Sequence, residues 1–294
     1  MDSLRPDPDV DRAAGILAEA DALIVTAGAG IGVDSGLPDF RGKQGFWGAY
    51  PALGKARIDF TDIASPSAFE SSPRLAWGFY GHRLSLYRRT RPHQGFAVLR
   101  RWGESMEHGT FVFTSNVDGQ FQKAGFDERN IVECHGSIHQ LQCLRPCSDS
   151  IWSAQEFEPE VDEDACLLRN ALPACAQCGG LARPNVLMFG DWGWNGERQR
   201  LQSARMEQWL ASVRRPAVVE LGAGTAIPSV RHFGQRVIRQ FGARLIRINP
   251  REAAVAGRAH AGVAAGALEG LRAIDAALGP DPAKTPAGST GRRE

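Results

Sequence analysis

Ala22-Leu23-Ile24-Val25-Thr26-Ala27-Gly28-Ala29-Gly30 runs from an unbroken apolar stretch straight into a glycine-rich turn. Continuous apolarity over 22–26 suits a strand covered on both faces, as in a parallel sheet. Glycine lets the backbone approach a ligand closely, and the N–H groups that follow point at an anion, so the turn suits a phosphate. A hydride-transferring nicotinamide dehydrogenase needs a second apolar strand with a ribose-binding acid about 20 residues further on. Here the chain runs Lys43-Gln44-Gly45-Phe46-Trp47-Gly48-Ala49-Tyr50 instead, and that class loses ground.

Outward from this stretch the sheet pattern repeats. Between Asp9 and Ala20, residues Val10, Ala13, Ile16, Leu17 and Ala20 fall at helical spacing and lead into the first strand. Further apolar runs occur at Phe111-Val112-Phe113, Ile131-Val132, Ala217-Val218-Val219 and Leu245-Ile246-Arg247-Ile248, separated by segments long enough for crossover helices. Val230, Phe233, Val237, Ile238 and Phe241 predict a helix over 228–241, and Leu268, Leu271, Ile274 and Leu278 predict a final one. The expected fold class is α/β, with a Rossmann-like parallel sheet. Each run ends in small or polar residues: the Gly28 turn, Thr114-Ser115-Asn116, His135-Gly136-Ser137, Gly222-Ala223-Gly224-Thr225 and Asn249-Pro250-Arg251. Ligands of open α/β sheets bind outside the carboxyl ends of the strands, so these equipped ends predict one shared site and an enzyme.

Two insertions interrupt the sheet pattern. Residues 43–90 are rich in aromatics and read as a loop followed by helices. Residues 138–183 hold Cys143, Cys147, Cys175 and Cys178, four of the six cysteines, and an acidic stretch from Glu156 to Asp164 that reads as a solvated loop. Two tight cysteine pairs can close a tetrahedral zinc site, and with no histidine in these turns the zinc reads as structural. Cys134 reads as a buried inert thiol. The expected organisation is a discontinuous sheet domain over 9–42, 91–137 and 184–278, a helical insertion over 43–90, a zinc-binding module over 138–183 and a disordered tail over 279–294. With a formal net charge of +1, bulk electrostatics imply neither nucleic acid nor an acidic membrane as partner. No apolar run approaches the ~20 residues of a membrane span, and Met1-Asp2-Ser3-Leu4-Arg5-Pro6-Asp7 lacks a secretory core, so the expected location is cytoplasmic.

Three segments resemble one family. They are Gly28-Ala29-Gly30-Ile31-Gly32-Val33-Asp34-Ser35-Gly36-Leu37-Pro38-Asp39-Phe40-Arg41, Thr114-Ser115-Asn116-Val117-Asp118 and Cys134-His135-Gly136-Ser137. Together they resemble the sirtuins, which split NAD at its nicotinamide bond, and the likeness extends from about residue 12 to 275. By that resemblance Gly28, Ala29 and Gly30 face the pyrophosphate, while Asp39, Phe40 and Arg41 cover the nicotinamide ribose. Arg41 suits a phosphate or oxyanion through its planar fork, and Phe40 suits water exclusion. Ser115, Asn116 and Asp118 lie at the nicotinamide ribose, where an amide can orient a hydroxyl or a water and a carboxylate can accept from the carboxamide. Gly224, Thr225 and Asn249 contact the phosphate-ribose and adenosine half.

His135 matches the family's general base, with Asn116 beside it in the catalytic pair. The resemblance implies that an acyl-lysine oxygen attacks C1′ as nicotinamide leaves, that His135 assists attack by the 2′-hydroxyl, and that water resolves the adduct. The products are free lysine, nicotinamide and O-acyl-ADP-ribose, and the partners are acylated-lysine proteins or peptides. Arg183 to Gly190, with Val186, Phe189 and Gly190 as contacts, resembles the segment that pairs with the substrate peptide as an added strand. Tyr80 and Arg83, three apart on a predicted helix, match the Tyr-x-x-Arg pattern of sirtuins that take succinyl or malonyl groups.

Some positions depart from the family pattern. Gly32 stands where Ser is usual, Ser115 where Gln is usual, and Gln120-Phe121 where Leu-His is usual. Serine at 115 resembles a branch that transfers ADP-ribose to protein, which makes mono-ADP-ribosyl transfer the alternative; retention of His135 and Asn116 ranks deacylation first. A non-catalytic NAD-sensing module would need no base. Glu220-Leu221-Gly222-Ala223-Gly224-Thr225-Ala226 also resembles a methyltransferase cofactor loop, but that loop follows a first strand, and here only about 70 residues remain after it.

Overall fold

A computed structural model describes residues 7–38 and 42–279. The chain begins with α1 (Pro8–Ala18), β1 (Ala22–Ala27) and a 3-10 turn (Ala29–Ser35). Next come α2 (Gly42–Ala49), α3 (Pro51–Lys55), α4 (Phe60–Ile63), α5 (Pro66–Ser71) and α6 (Pro73–Arg89). They are followed by α7 (Gln94–Glu104), β2 (Thr110–Thr114), α8 (Gln120–Lys123) and β3 (Ile131–Glu133). Five short strands follow: β4 (Gly136–Cys143), β5 (Ile151–Ser153), β6 (Val161–Asp162), β7 (Leu167–Leu168) and β8 (Ala182–Val186). The last third is α9 (Glu197–Leu210), β9 (Pro216–Leu221), α10 (Ser229–Phe241), β10 (Arg244–Ile248), β11 (Ala261–Val263) and α11 (Ala267–Leu278).

Six strands form one parallel sheet in the order β11-β10-β9-β1-β2-β3. In register, Val25 of β1 stands between Val219 and Val112. All six residues of β1 are buried because helices cover both faces. Leu23 and Val25 join a cluster with Leu17, Leu99 and Leu271 of α1, α7 and α11. Ile24 joins the opposite cluster, with Met206 of α9 and Val237 of α10. This is the doubly wound α/β arrangement that the apolar runs predict. From β1 the chain builds outward to β2 and β3, and from β9 in the other direction to β10 and β11. The gap between the ends of β1 and β9 is therefore the topological switch point, where an open sheet has room for a ligand.

The sixth strand, β11, was not expected. It has only three residues, and its centre is Gly262, where a side chain would meet the Ala253 carbonyl at 2.3 Å.

The two insertions share one core rather than packing separately on the sheet. Trp77, Phe79 and Tyr80 of α6 cluster with Ile138 and Leu141 of β4, Leu168 of β7 and Val186 of β8. The indole N–H of Trp77 donates to the Ala182 carbonyl at 2.9 Å, and Arg88 donates to the carbonyls of Ala154 (2.7 Å) and Phe157 (2.9 Å). The acidic stretch is solvated as expected, with Glu156, Glu158, Glu160, Glu163 and Asp164 all exposed, but it is not loop throughout. Its end forms the β6–β7 hairpin against α6, and Gly78 leaves room for the Cys166 carbonyl, which a Cβ would meet at 2.0 Å. The tail expected over 279–294 lies outside the described residues from 280 onward.

Candidate active site

At the switch point, two glycine turns meet back to back. The N–H of Gly28 donates to Leu221 O (2.9 Å) and that of Gly30 to Gly222 O (3.1 Å). Gly222 has φ +59°, and a Cβ there would lie 2.3 Å from Ile31 N and 2.4 Å from Gly30 Cα. No other residue type fits at this crossing. The expectation that Gly28 and Gly30 face a phosphate is therefore modified: their N–H groups are engaged by the β9 turn, and Ala29 is the exposed residue of the three. Gly224 is half-buried and Thr225 exposed on the facing turn.

The ends of β2 and β10 brace this crossing. Asn116 donates its amide to the Gly28 carbonyl at 3.1 Å, and Thr114 Oγ1 donates to Ala27 O at 3.1 Å. Ser115, half-buried, donates its N–H to the same Ala27 carbonyl. Asn249 is buried; its amide donates to Ala223 O (3.1 Å) while its Oδ1 accepts from the N–H groups of Arg251 and Glu252. Arg231 donates to the same Ala223 carbonyl at 3.0 Å. Asn249 thus serves the turns with its side chain. Asp118 is buried, and desolvation pushes its carboxyl up to about 6, partly offset by the Gln120 N–H that donates to it at 3.0 Å.

His135 sits at the crossover from β3 to β4. Its backbone is held from two sides: the Leu187 N–H donates to its carbonyl at 2.9 Å, and the next residue, Gly136, takes φ +78°, where a Cβ would strike the Asn185 carbonyl at 2.1 Å. Its Nε2 lies 3.2 Å from Ser229 Oγ. Burial holds the imidazole below its ordinary pKa, and a hydrogen bond to the Ser115 backbone pulls the other way. The end of β2 thus ties the glycine crossing, through Asn116, to the segment that carries Ser115 and Asp118.

The Sir2 family model matches residues 28–209. The chain belongs to the Sir2 family. An NAD-dependent protein deacylase of Aeropyrum pernix is 30% identical over 270 residues, 91% of this chain and 97% of its own length. One from Archaeoglobus fulgidus is 30% identical over 241 residues, 80% of this chain and 84% of its own. A solved Sir2 homologue in complex with ADP-ribose superposes with a TM-score of 0.64 at 26% identity, covering 92% of this chain and 98% of that one.

Asp39, Phe40 and Arg41 fall outside the described residues. Val186 is buried within β8, while Phe189 is 41% exposed beyond it and Gly190 turns at φ +64°. The N–H groups of Leu187, Met188 and Phe189 are engaged by His135 O, Asp191 Oδ2 and Ala64 O, so an incoming strand would have to pair here through carbonyls. That limits the expected strand addition over 183–190. Arg183 is not a surface residue of that segment either: it forms a fully buried bidentate pair with Asp191, at 2.6 and 2.9 Å. Tyr80 and Arg83 are both buried on α6, where Arg83 donates to Tyr87 Oη at 3.0 and 2.8 Å and lies 5.7 Å from the Tyr80 ring centroid.

The four cysteine Sγ atoms all lie within 4.8 Å of one another, and Cys143–Cys178 and Cys147–Cys175 are each 3.6 Å apart. Zinc at about 2.3 Å from each sulfur gives tetrahedral edges of about 3.8 Å, so the set fits the ion. The N–H groups of Cys178 and Gln177 pull the Cys175 thiol down to about 7, favouring the thiolate that zinc requires. Cys134 lies just beyond β3, and burial pushes its thiol up to about 12.

No local signal marks Ser229 or Arg231. Each reads as an ordinary residue at the start of an amphipathic helix, and only the fold brings them to His135 and Ala223.

Proposed function

We propose that the protein is an NAD-dependent protein-lysine deacylase that releases nicotinamide and forms O-acyl-ADP-ribose. The observation that carries the proposal is the half-buried His135 imidazole, shifted toward its neutral form, at the end of β3, beside the β2 end whose Asn116 is tied to the Gly28–Gly222 crossing. NAD supplies the nicotinamide leaving group and the ribose carbon that accepts the acyl oxygen. Ala29, Gly224 and Thr225 line the rim that suits its phosphates. Asn116 orients a ribose hydroxyl or a water, and Asp118 accepts from the carboxamide once ionised. His135 takes a ribose hydroxyl proton onto Nε2, which makes that oxygen nucleophilic.

For acyl choice, we assign Tyr80 and Arg83 to the distal carboxylate of a succinyl or malonyl chain. A guanidinium buried among phenols supports that reading, since a charged partner there gains more than it would in water. Substrate contact falls to Val186, Phe189 and Gly190, with the exposed Phe189 ring the most accessible. The four-thiolate zinc set suits a reducing compartment, and the cytoplasm is the location it favours. Among the described residues, no helix is long and apolar enough to cross a membrane.

The test is turnover of acetyl- and succinyl-lysine peptides by wild type and His135→Ala. Loss of NAD-dependent deacylation in the variant supports the assignment. Undiminished turnover removes it, and ADP-ribose found on protein in place of deacylation favours the transferase alternative.

A further inference from the structure

Ser229 occupies the approach to the base. Its Oγ lies 3.2 Å from Nε2 of His135, the contact a proton donor must make to reach that nitrogen. A neutral imidazole has one N–H and one lone pair. With the ring proton on Nδ1, the lone pair of Nε2 faces Ser229 and accepts from its hydroxyl, and this is the tautomer the relay requires.

The serine cannot move away with its helix. Ser229 is the first residue of α10, and Phe233, one turn on, stacks face to face on Phe113 of β2, with ring centroids 3.9 Å apart and planes 2° from parallel. Arg231 ties the same turn to the Ala223 carbonyl and forms an ion pair with Glu252 at 2.7 Å. A substrate hydroxyl that needs His135 must therefore work through the serine, or the serine side chain must swing aside.

We propose that Ser229 relays the proton: the ribose hydroxyl gives its proton to Ser229 Oγ as Ser229 gives its own to His135 Nε2. One O–H bond breaks on the ribose and one forms on the serine. The serine's original O–H bond breaks, and an N–H bond forms on the imidazole. The serine ends as a neutral hydroxyl, and the net change is one proton moved from ribose to His135. Among the described residues no charged side chain shifts the His135 pKa, Asp118, Glu133, Arg231 and His232 included, and the thiol of the preceding Cys134 stays neutral.

The inference rests on the deacylase reading, and step-resolved kinetics keep the two apart. Exchange of labelled nicotinamide into NAD in the presence of an acyl-lysine peptide reports bond cleavage before the base acts. O-acyl-ADP-ribose, measured by mass, reports the step that needs it. Ser229→Ala should slow product formation roughly 10- to 100-fold, as expected for loss of a positioned proton carrier, while exchange stays within about threefold. Ser229→Thr, which restores a hydroxyl, should recover most of the product rate. Unchanged or faster product formation in Ser229→Ala would mean that the side chain swings aside, and would overturn the relay. A parallel fall in exchange and product would reduce Ser229 to a structural role and overturn it equally. A wild-type protein with neither exchange nor product would defeat the deacylase reading itself.

Discussion

The side-chain amide of Asn116 donates to the main-chain carbonyl of Gly28 across 3.1 Å, which fastens the end of β2 to the turn after β1. Removing that donor leaves the Gly28 carbonyl with the Ile31 N–H alone, at 3.2 Å, a loss of about 0.5–1.5 kcal/mol. Asn116→Ala should lower the Tm by several degrees and weaken NAD binding at least tenfold in calorimetry. Unaltered NAD affinity would show that this tie does not shape the cofactor cleft.

Gly222→Ala tests the crossing of the two turns. A methyl group there would lie 2.3–2.4 Å from the backbone of Gly30 and Ile31, and φ +59° adds strain of its own. The expected cost is roughly 3 kcal/mol or more, seen as a lower denaturation midpoint together with loss of NAD binding. A variant as stable as wild type would mean that the turns separate freely.

Burial lowers the pKa of His135, and the same cause lowers those of His82, His93, His139 and His260. Between the folded values and the unfolded 6.5, the unfolded chain binds more protons, so stability is full above 6.5 and falls as the pH drops through the folded values. Asp118 acts in the opposite sense, favouring the folded state while it keeps its proton below about 6. A thermal denaturation series should show Tm falling from pH 7 toward 5.5. Deacylation needs His135 neutral and Asp118 ionised, so its acid limb should centre near pH 6; a limb centred above pH 7 would contradict these environments.

Arg83→Met should separate acyl groups. Losing a charged hydrogen-bond donor to a carboxylate costs about 1.5–3 kcal/mol, or roughly 10- to 100-fold. Desuccinylation should fall by that factor while deacetylation stays within about threefold. Equal losses would mean that Arg83 serves the fold alone, through Tyr87.

Metal analysis should find about one zinc per chain, and a strong chelator should unfold the shared insertion core, because β4 and β8 carry or flank three of its four ligands. A chelated protein with unchanged near-ultraviolet circular dichroism would overturn the structural role.

The strands that position the cleft were legible because their apolar runs are continuous and end in glycine or polar residues, as at Val25 to Gly30 and Val219 to Gly222. β11 was not, since three residues centred on Gly262 leave no pattern. The joint core of the insertions depends on long-range contacts such as Trp77 to Ala182, which no local periodicity encodes. His135 and Asn116 stand out as polar residues at strand ends, whereas the capping of its own turn by Asn249 depends on contacts that no motif announces. Ser229 was invisible because a serine after a proline at a helix start resembles any cap.

The most direct measurement is mass analysis of NAD incubated with acetyl-, succinyl- and unmodified lysine peptides and the purified protein. Free-lysine peptide, nicotinamide and O-acyl-ADP-ribose in equal amounts from the acylated peptides, and none from the unmodified one, are the predicted result. Intact NAD with every peptide, or ADP-ribose attached to the unmodified peptide, would contradict a cleft built for deacylation.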